Sequence, residues 1–197
     1  IVAVLLSKHS KVKIKDVGLN FYRVGLLDVL KKMKANITIT NKRRFGGELV
    51  GDIEVASSQL IATSVNKNLT PRLIDEYPIL FVAAAYAKGI SIFQGLDELK
   101  FKESNRLKSM ANALLDGGVK LNLGEDSIRI EGGESQSGGN LVITESDHRV
   151  AMSMLIFGLF SDKSIVIDEM KMIKTSFPKF KETFEKLGAK ISYVQKP

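Results

Sequence analysis

The chain is 197 residues long, 44% hydrophobic and 26% charged, with a net charge of +7, a profile of a globular protein able to bury a core without covalent staples. It contains no cysteine and two histidines, His9 and His148, which excludes a disulfide framework, a thiolate metal site and a cysteine nucleophile, and argues against a histidine-rich metal centre. The positive charge is scattered as on a solvated surface, and the one compact basic cluster, Lys42-Arg43-Arg44-Phe45, is too short for the basic stripe with stacking aromatics that nucleic acid requires.

Ile1 to Leu6 is apolar but far shorter than a membrane span, and it lacks the charged region of a signal peptide. The chain opens abruptly in apolar sequence without a methionine, so a fragment cut inside or just after a helix is expected. Val12-Lys13-Ile14 then reads as a strand, Leu26 to Met33 as an amphipathic helix and Asn36 to Ile39 as a second strand. Asp52 to Ala56 is a further strand candidate. Tyr77 to Ala87 is apolar on most sides, which predicts a buried helix.

The opening pattern then returns. Ile90 to Phe93 is strand-like, about Glu103 to Leu115 is helical, Gly117-Gly118 supplies a left-handed cap, and Val119-Lys120-Leu121 is strand-like again. Ser127 to Ile130 and Asn140 to Thr144 are further strands, and His148 to Phe160 is a second buried helix. A third copy follows, with Ser164 to Ile167, a helix from about Pro178 to Leu187, Gly188, and Ala189 to Ser192. Strand starts near residues 12, 90 and 164 set a repeat of roughly 75 residues. One α/β domain over 1–197 is expected, built from three βαβαββ-like units with the first incomplete. A doubly wound sheet is the alternative, but its glycine-rich nucleotide fingerprint is absent.

Charged residues gather where these helices begin. Asp75-Glu76 precedes Tyr77-Pro78; Lys102, Glu103 and Arg106 open the second-unit helix; Asp147-His148-Arg149 opens the next; Thr175-Ser176 precedes the last. Helix N-termini favour anions, so Lys102, Arg106 and Arg149 oppose the dipole there. Lys102 and Arg106, four apart, would also repel each other on one helix face. A bound phosphate or carboxylate would relieve both conflicts. Each cluster alone has a plainer reading, with Asp75 and Asp147 as caps, Glu103 and Arg106 as a surface ion pair and His148 as a packed side chain. Their coincidence points to an anion site in which Asp75, Glu103, Arg106 and Arg149 converge.

These residues carry a resemblance. Leu73-Ile74-Asp75-Glu76-Tyr77-Pro78, Lys102-Glu103-Ser104-Asn105-Arg106, Asp147-His148-Arg149-Val150-Ala151-Met152 and Thr175-Ser176-Phe177-Pro178 resemble, in order and spacing, four motifs of the EPSP synthase (3-phosphoshikimate 1-carboxyvinyltransferase) family, most closely its glyphosate-tolerant class II branch. Two departures stand out. Asn105 replaces the family's aspartate, removing a charge beside Arg106, and Lys174 lies one position off a lysine found in some members.

The resemblance implies an inside-out α/β barrel domain, the C-terminal half of a two-domain cytoplasmic enolpyruvyl transferase whose N-terminal domain is absent from this chain. It implies transfer of the enolpyruvyl group of phosphoenolpyruvate to the hydroxyl of shikimate 3-phosphate, without metal or organic cofactor and with neither nucleic acid nor membrane as partner. Asp75 would accept the hydroxyl proton and Glu103 would exchange a proton with the methylene carbon. Lys102, Arg106 and Arg149 would hold the phosphoenolpyruvate anions, with His148 and Lys174 as further substrate-binding residues. The chain alone would be inactive. The alternatives are a transferase acting on UDP-N-acetylglucosamine, and a noncatalytic basic binding domain.

Overall fold

The computed structural model describes residues 1–194. Three interior helices, α1 (Val2–Leu6), α3 (Tyr77–Ala85) and α5 (His148–Gly158), form the centre, with α3 packed against both α1 and α5, and three small sheets lie outside them. Composition explains this inversion. The run Tyr77 to Ala85 has no polar face, and eight of its nine residues are buried, so it is stable only when wrapped on every side. The outer helix α2 (Gly25–Lys32) does alternate, burying Leu27, Val29 and Leu30 and exposing Lys31 and Lys32.

The second unit is the complete one. Strand β4 (Ser64–Val65) crosses through α3 to β5 (Gly89–Gln94), which lies parallel to it. Helix α4 (Arg106–Asp116) leads to the hairpin β6 (Lys120–Leu123) and β7 (Ser127–Gly132), giving a sheet of order β4-β5-β7-β6. The first unit repeats the arrangement with β1 (Lys11–Gly18), β2 (Asn36–Phe45) and β3 (Glu48–Ala56), in order β1-β3-β2. Its hairpin turns on Gly46 and Gly47, both at positive φ, as a two-residue hairpin loop demands. No strand precedes α1 among the described residues. The third unit pairs β8 (Leu141–Val142) parallel to β9 (Val166–Ile167) across α5. Two short helices follow, α6 (Lys171–Ser176) and α7 (Phe180–Lys186). The chain is thus the inside-out α/β architecture of repeated units that the pattern anticipates.

Three expectations need correction. Ala189 to Ser192 is not a strand. In the other two units the returning strand is half of a hairpin, and no hairpin partner follows it among the described residues, so its backbone groups have no ladder to join. The helix predicted from Glu103 starts only at Arg106, because the 3-10 turn Asp97–Phe101 runs into extended backbone at Lys102 and Asn105 caps the helix with its side chain. Lys102 and Arg106 therefore share no helix face. Thr175 and Ser176 precede the last helix, α7, as expected, but they also close an additional short helix, α6, where Thr175 Oγ1 donates to the Met172 carbonyl; six residues are too few for a legible period. Among the described residues no helix is long and apolar enough to cross a membrane.

The interior helices and the sheets meet at close quarters. At Gly132, the end of β7, an added Cβ would collide with the carbonyl oxygens of Ala84 and Ala87 at the C-terminus of α3. Gly132→Ala should therefore cost about 1–3 kcal/mol of stability by forcing strand and helix apart, read from urea unfolding midpoints. An unchanged midpoint would mean that the contact is slack.

Candidate functional site

The anionic and cationic residues singled out above come from distant stretches of chain, and the fold gathers most of them at one end of the helical interior. Asp75 lies in the turn before α3, Lys102 and Glu103 in the segment before α4, Arg106 at the first position of α4, and Asp147 and Arg149 around the start of α5.

Arg106 is at the centre. Its side chain is 1% exposed, yet it carries a full charge. Nε donates to Asp147 Oδ2 at 2.9 Å, Nη1 lies 3.5 Å from Asp75 Oδ1, and Nη2 is bonded to Glu103 Oε2. A guanidinium so deep is tolerable only when each edge meets a carboxylate. Its opposition to the helix dipole is thus answered by carboxylates of the protein itself, and the relief by a bound anion expected above is not required.

Asp147 anchors this arrangement. It is wholly buried. Oδ2 accepts from Arg106 Nε and from Ser104 Oγ at 3.1 Å, while Oδ1 accepts the backbone N–H groups of Arg149 at 2.8 Å and Val150 at 3.2 Å. Burial pushes its carboxyl pKa up, but the Arg106 bond and charge and the two N–H groups outweigh it and hold the group below its ordinary value. The approach to Asp147 is strained, since Glu145 and Ser146 both sit at positive φ without being glycine. Thr144 secures the strand side by donating its N–H and hydroxyl to Asp168 Oδ1, and Ser109 Oγ donates to Glu145 Oε2.

Asp75 is the junction of the cations. Lys102 Nζ and Arg106 Nη1 each approach Oδ1 at 3.5 Å, and Arg149 Nη2 and Arg23 Nη1 approach Oδ2 at 3.9 and 3.8 Å. Arg149 Nη1 also donates to the Asp75 carbonyl at 2.8 Å and stands 4.0 Å from Glu76 Oε1. Burial raises the Asp75 pKa, and Arg149, Lys102 and Arg106 together more than reverse this, leaving it lowered. At Glu76 burial prevails over Arg149 and Arg23 and the pKa is raised. Asp75, Glu76 and Arg149 open onto a cavity of about 210 Å³, bounded on its apolar side by Ile79, Ile156 and Phe180. Such a site can neutralise an anion with Lys102 and Arg149 and offer a carboxylate beside it.

Two predicted residues are placed differently. His148 opens α5 half-buried, with no hydrogen bond or ion pair to the cluster among the described residues. Lys174, near the end of α6, lines a separate groove with Asp168, Glu169 and Ile191. Among the described residues the Asn105 side chain makes no hydrogen bond to Arg106; its Oδ1 accepts the Lys108 N–H at 3.1 Å and so caps α4. Asparagine caps a helix as well as aspartate does, and three other carboxylates supply the charge beside Arg106.

The sequence pattern marks Asp147 as a helix cap, which it is, but carries no sign of its ion pair with Arg106, 41 residues away. Arg23 sits in the patternless stretch Asn20 to Val24, which carries no local sign of a site.

Asp147→Ala should cost about 3–5 kcal/mol by leaving the buried Arg106 charge half-answered, measured by chemical denaturation. Because the folded pKa is depressed, the carboxylate contributes stability above its ordinary value of 3.8 and loses it as pH falls through the lower folded value. Asp147→Asn should accordingly flatten the acid limb of stability below about pH 4. An acid limb identical in the two proteins would contradict the assigned ion pair.

Comparison with known proteins follows the same lines. The family model for EPSP synthase (3-phosphoshikimate 1-carboxyvinyltransferase) matches residues 1–184. The 3-phosphoshikimate 1-carboxyvinyltransferases of Bartonella quintana and Brucella abortus are 45% and 44% identical to the chain over 194 residues, covering 98% of it but 44% and 43% of themselves. The chain thus spans less than half the length of these relatives. The EPSP synthase structure of Acinetobacter baumannii superposes with a TM-score of 0.94 at 36% identity, over 98% of this chain and 45% of that one. The enolpyruvyl transferase NikO of Streptomyces tendae, at 17% identity and a TM-score of 0.77 over 100% of this chain and 42% of that one, shares the fold. On the family match, the sequence similarity and the shared architecture, the chain belongs to the EPSP synthase family.

Proposed function

We propose that the chain is the C-terminal half of a 3-phosphoshikimate 1-carboxyvinyltransferase, one domain of two, and that the cluster around Asp75 is its share of the active site. The observation that carries this reading is the convergence of Lys102, Arg106, Arg149 and Glu103 about the Asp75 carboxylate. Phosphoenolpyruvate brings a phosphate and a carboxylate, and shikimate 3-phosphate brings a phosphate and the reacting hydroxyl.

Asp75 accepts the hydroxyl proton as the oxygen bonds to the substituted enol carbon. The methylene carbon takes a proton, delivered through Glu103. Loss of phosphate and of a methyl proton then restores the double bond in the product ether. Lys102 and Arg149, each about a quarter exposed, bind anions by giving up their pairs with the Asp75 carboxylate. Arg106 reaches a ligand only by exchanging one of its carboxylates, and Glu103, half exposed, is the one most easily exchanged. His148 and Lys174 are the remaining substrate-binding candidates, the latter dependent on a contribution from outside its groove.

The lowered pKa of Asp75 makes it ionised but weakly basic in the free protein. A bound anion would neutralise Lys102 and Arg149, two of the three cations that depress it, so its basicity would rise when substrate is present.

The deciding experiment measures phosphate release from phosphoenolpyruvate and shikimate 3-phosphate by this chain alone, by a separately expressed N-terminal half, and by the two together, with UDP-N-acetylglucosamine as a second acceptor. Release by the mixture alone, and with the shikimate acceptor alone, is the expected result; turnover by the isolated chain would refute the half-site reading. In the active mixture Asp75→Asn should lower kcat by about 10²-fold or more. The acid limb of kcat should lie at higher pH than that of kcat/KM, since the former reports the substrate complex and the latter the free enzyme. Coincident limbs would remove Asp75 as the substrate-tuned base.

A further inference from the structure

Arg23 is the one cation of the cluster that comes from the first unit, and its surroundings differ from those of the others. Arg106 has all three nitrogens on carboxylates, and Arg149 Nη1 is committed to the Asp75 carbonyl. The Arg23 guanidinium makes no hydrogen bond among the described residues and meets Asp75 Oδ2 only at 3.8 Å, and the side chain as a whole is 63% exposed. Most of its five N–H donors are therefore available.

Its position is nonetheless built. Asn20 closes a tight turn by accepting the Tyr22 N–H on its side chain at 2.9 Å and the Arg23 N–H on its carbonyl at 2.8 Å. Arg72 clasps this turn from the second unit. Nε donates to the Phe21 carbonyl at 2.9 Å, the guanidinium lies 3.8 Å over the Phe21 ring, and Nη2 bonds Asp28 of α2 at 2.8 Å. At Gly25 the two units approach so closely that a Cβ would sit 2.7 Å from the Arg72 carbonyl oxygen. Arg72 stands three residues before Asp75, so the loop bearing Arg23 is docked on the very segment that carries the central carboxylate.

Resting on the transferase reading, we propose that Arg23 is a further anion-binding residue of this site, forming with Arg149 a two-arginine clamp for the phosphoryl group of a substrate entering beside Asp75. Both guanidinium groups stand within 4 Å of the same Asp75 oxygen, so a phosphoryl dianion that displaces that oxygen from between them meets both. Arginine forks match phosphoryl oxygens bidentately. The exposed pair with Asp75 is weak, and Arg23 gives it up readily.

The test titrates phosphoenolpyruvate, shikimate 3-phosphate and inorganic phosphate calorimetrically into this chain paired with its N-terminal half, comparing the unsubstituted protein with Arg23→Gln, Arg23→Lys and Arg44→Gln. Arg23→Gln should weaken one of the two substrates and inorganic phosphate about tenfold, and the substrate affected identifies the source of the phosphoryl group. Arg23→Lys should recover part of the loss, as a point charge without the fork. Arg44→Gln removes the same charge from the β2–β3 hairpin and should change nothing. Affinities within twofold of the unsubstituted protein for Arg23→Gln, or an equal loss in Arg44→Gln, would overturn the clamp. If the unsubstituted pair releases no phosphate from the two substrates, the transferase reading falls, and inorganic phosphate decides the clamp alone. A tenfold loss on Arg23→Gln then upholds it, and equal or absent binding in both proteins refutes it.

Discussion

A guanidinium cannot be withdrawn from water without partners, and the burial of Arg106 organises everything around it. Its three edges call for three acceptors, and these come from Asp147 at the start of α5, Asp75 before α3 and Glu103 before α4. No two of those segments adjoin in sequence. Their meeting holds the N-terminal ends of three helices in one place, and the backbone strain at Glu145 and Ser146 is tolerated because it delivers Asp147 to this charge.

The same constraint shapes the chemistry. In the free protein the cluster is internally neutralised, with each cation facing a carboxylate and Asp75 shared among four of them. On the transferase reading, an incoming anion would compete with those carboxylates and would not fill an empty positive hollow. Buried Asp147 is poorly placed to yield, whereas half-exposed Glu103 is well placed. Under the proposed reading, binding and activation are then one event, because the ligand that occupies the cations also releases the Asp75 carboxylate from their field.

The repeat explains how the site could be assembled. Each unit presents its helix starts toward the same end of the interior. The second unit contributes Asp75, Lys102, Glu103 and Arg106, the third Asp147 and Arg149, and the first Arg23 through a loop clasped by Arg72. A charge cluster at a junction of units needs only a few residues from each, so the hydrophobic pattern that builds the units is left undisturbed.

Local periodicity and short motifs suffice for the class of fold, the three-unit repeat, the family and the two buried helices, expected over Tyr77 to Ala87 and His148 to Phe160 and found over Tyr77–Ala85 and His148–Gly158. The sequence by itself also brought Asp75, Lys102, Glu103, Arg106 and Arg149 under suspicion, as charges set against helix dipoles. Tertiary structure alone decided what answers those charges. Arg106 meets Asp147 across 41 residues, a pairing that no local pattern encodes. Arg23 joins Asp75 from a loop with no period, and Lys174, one position off the family lysine, falls into a different groove. Ala189 to Ser192, strand-like in composition, is not a strand. A strand is a property of two segments, and a buried charge is a property of whatever the fold brings to face it.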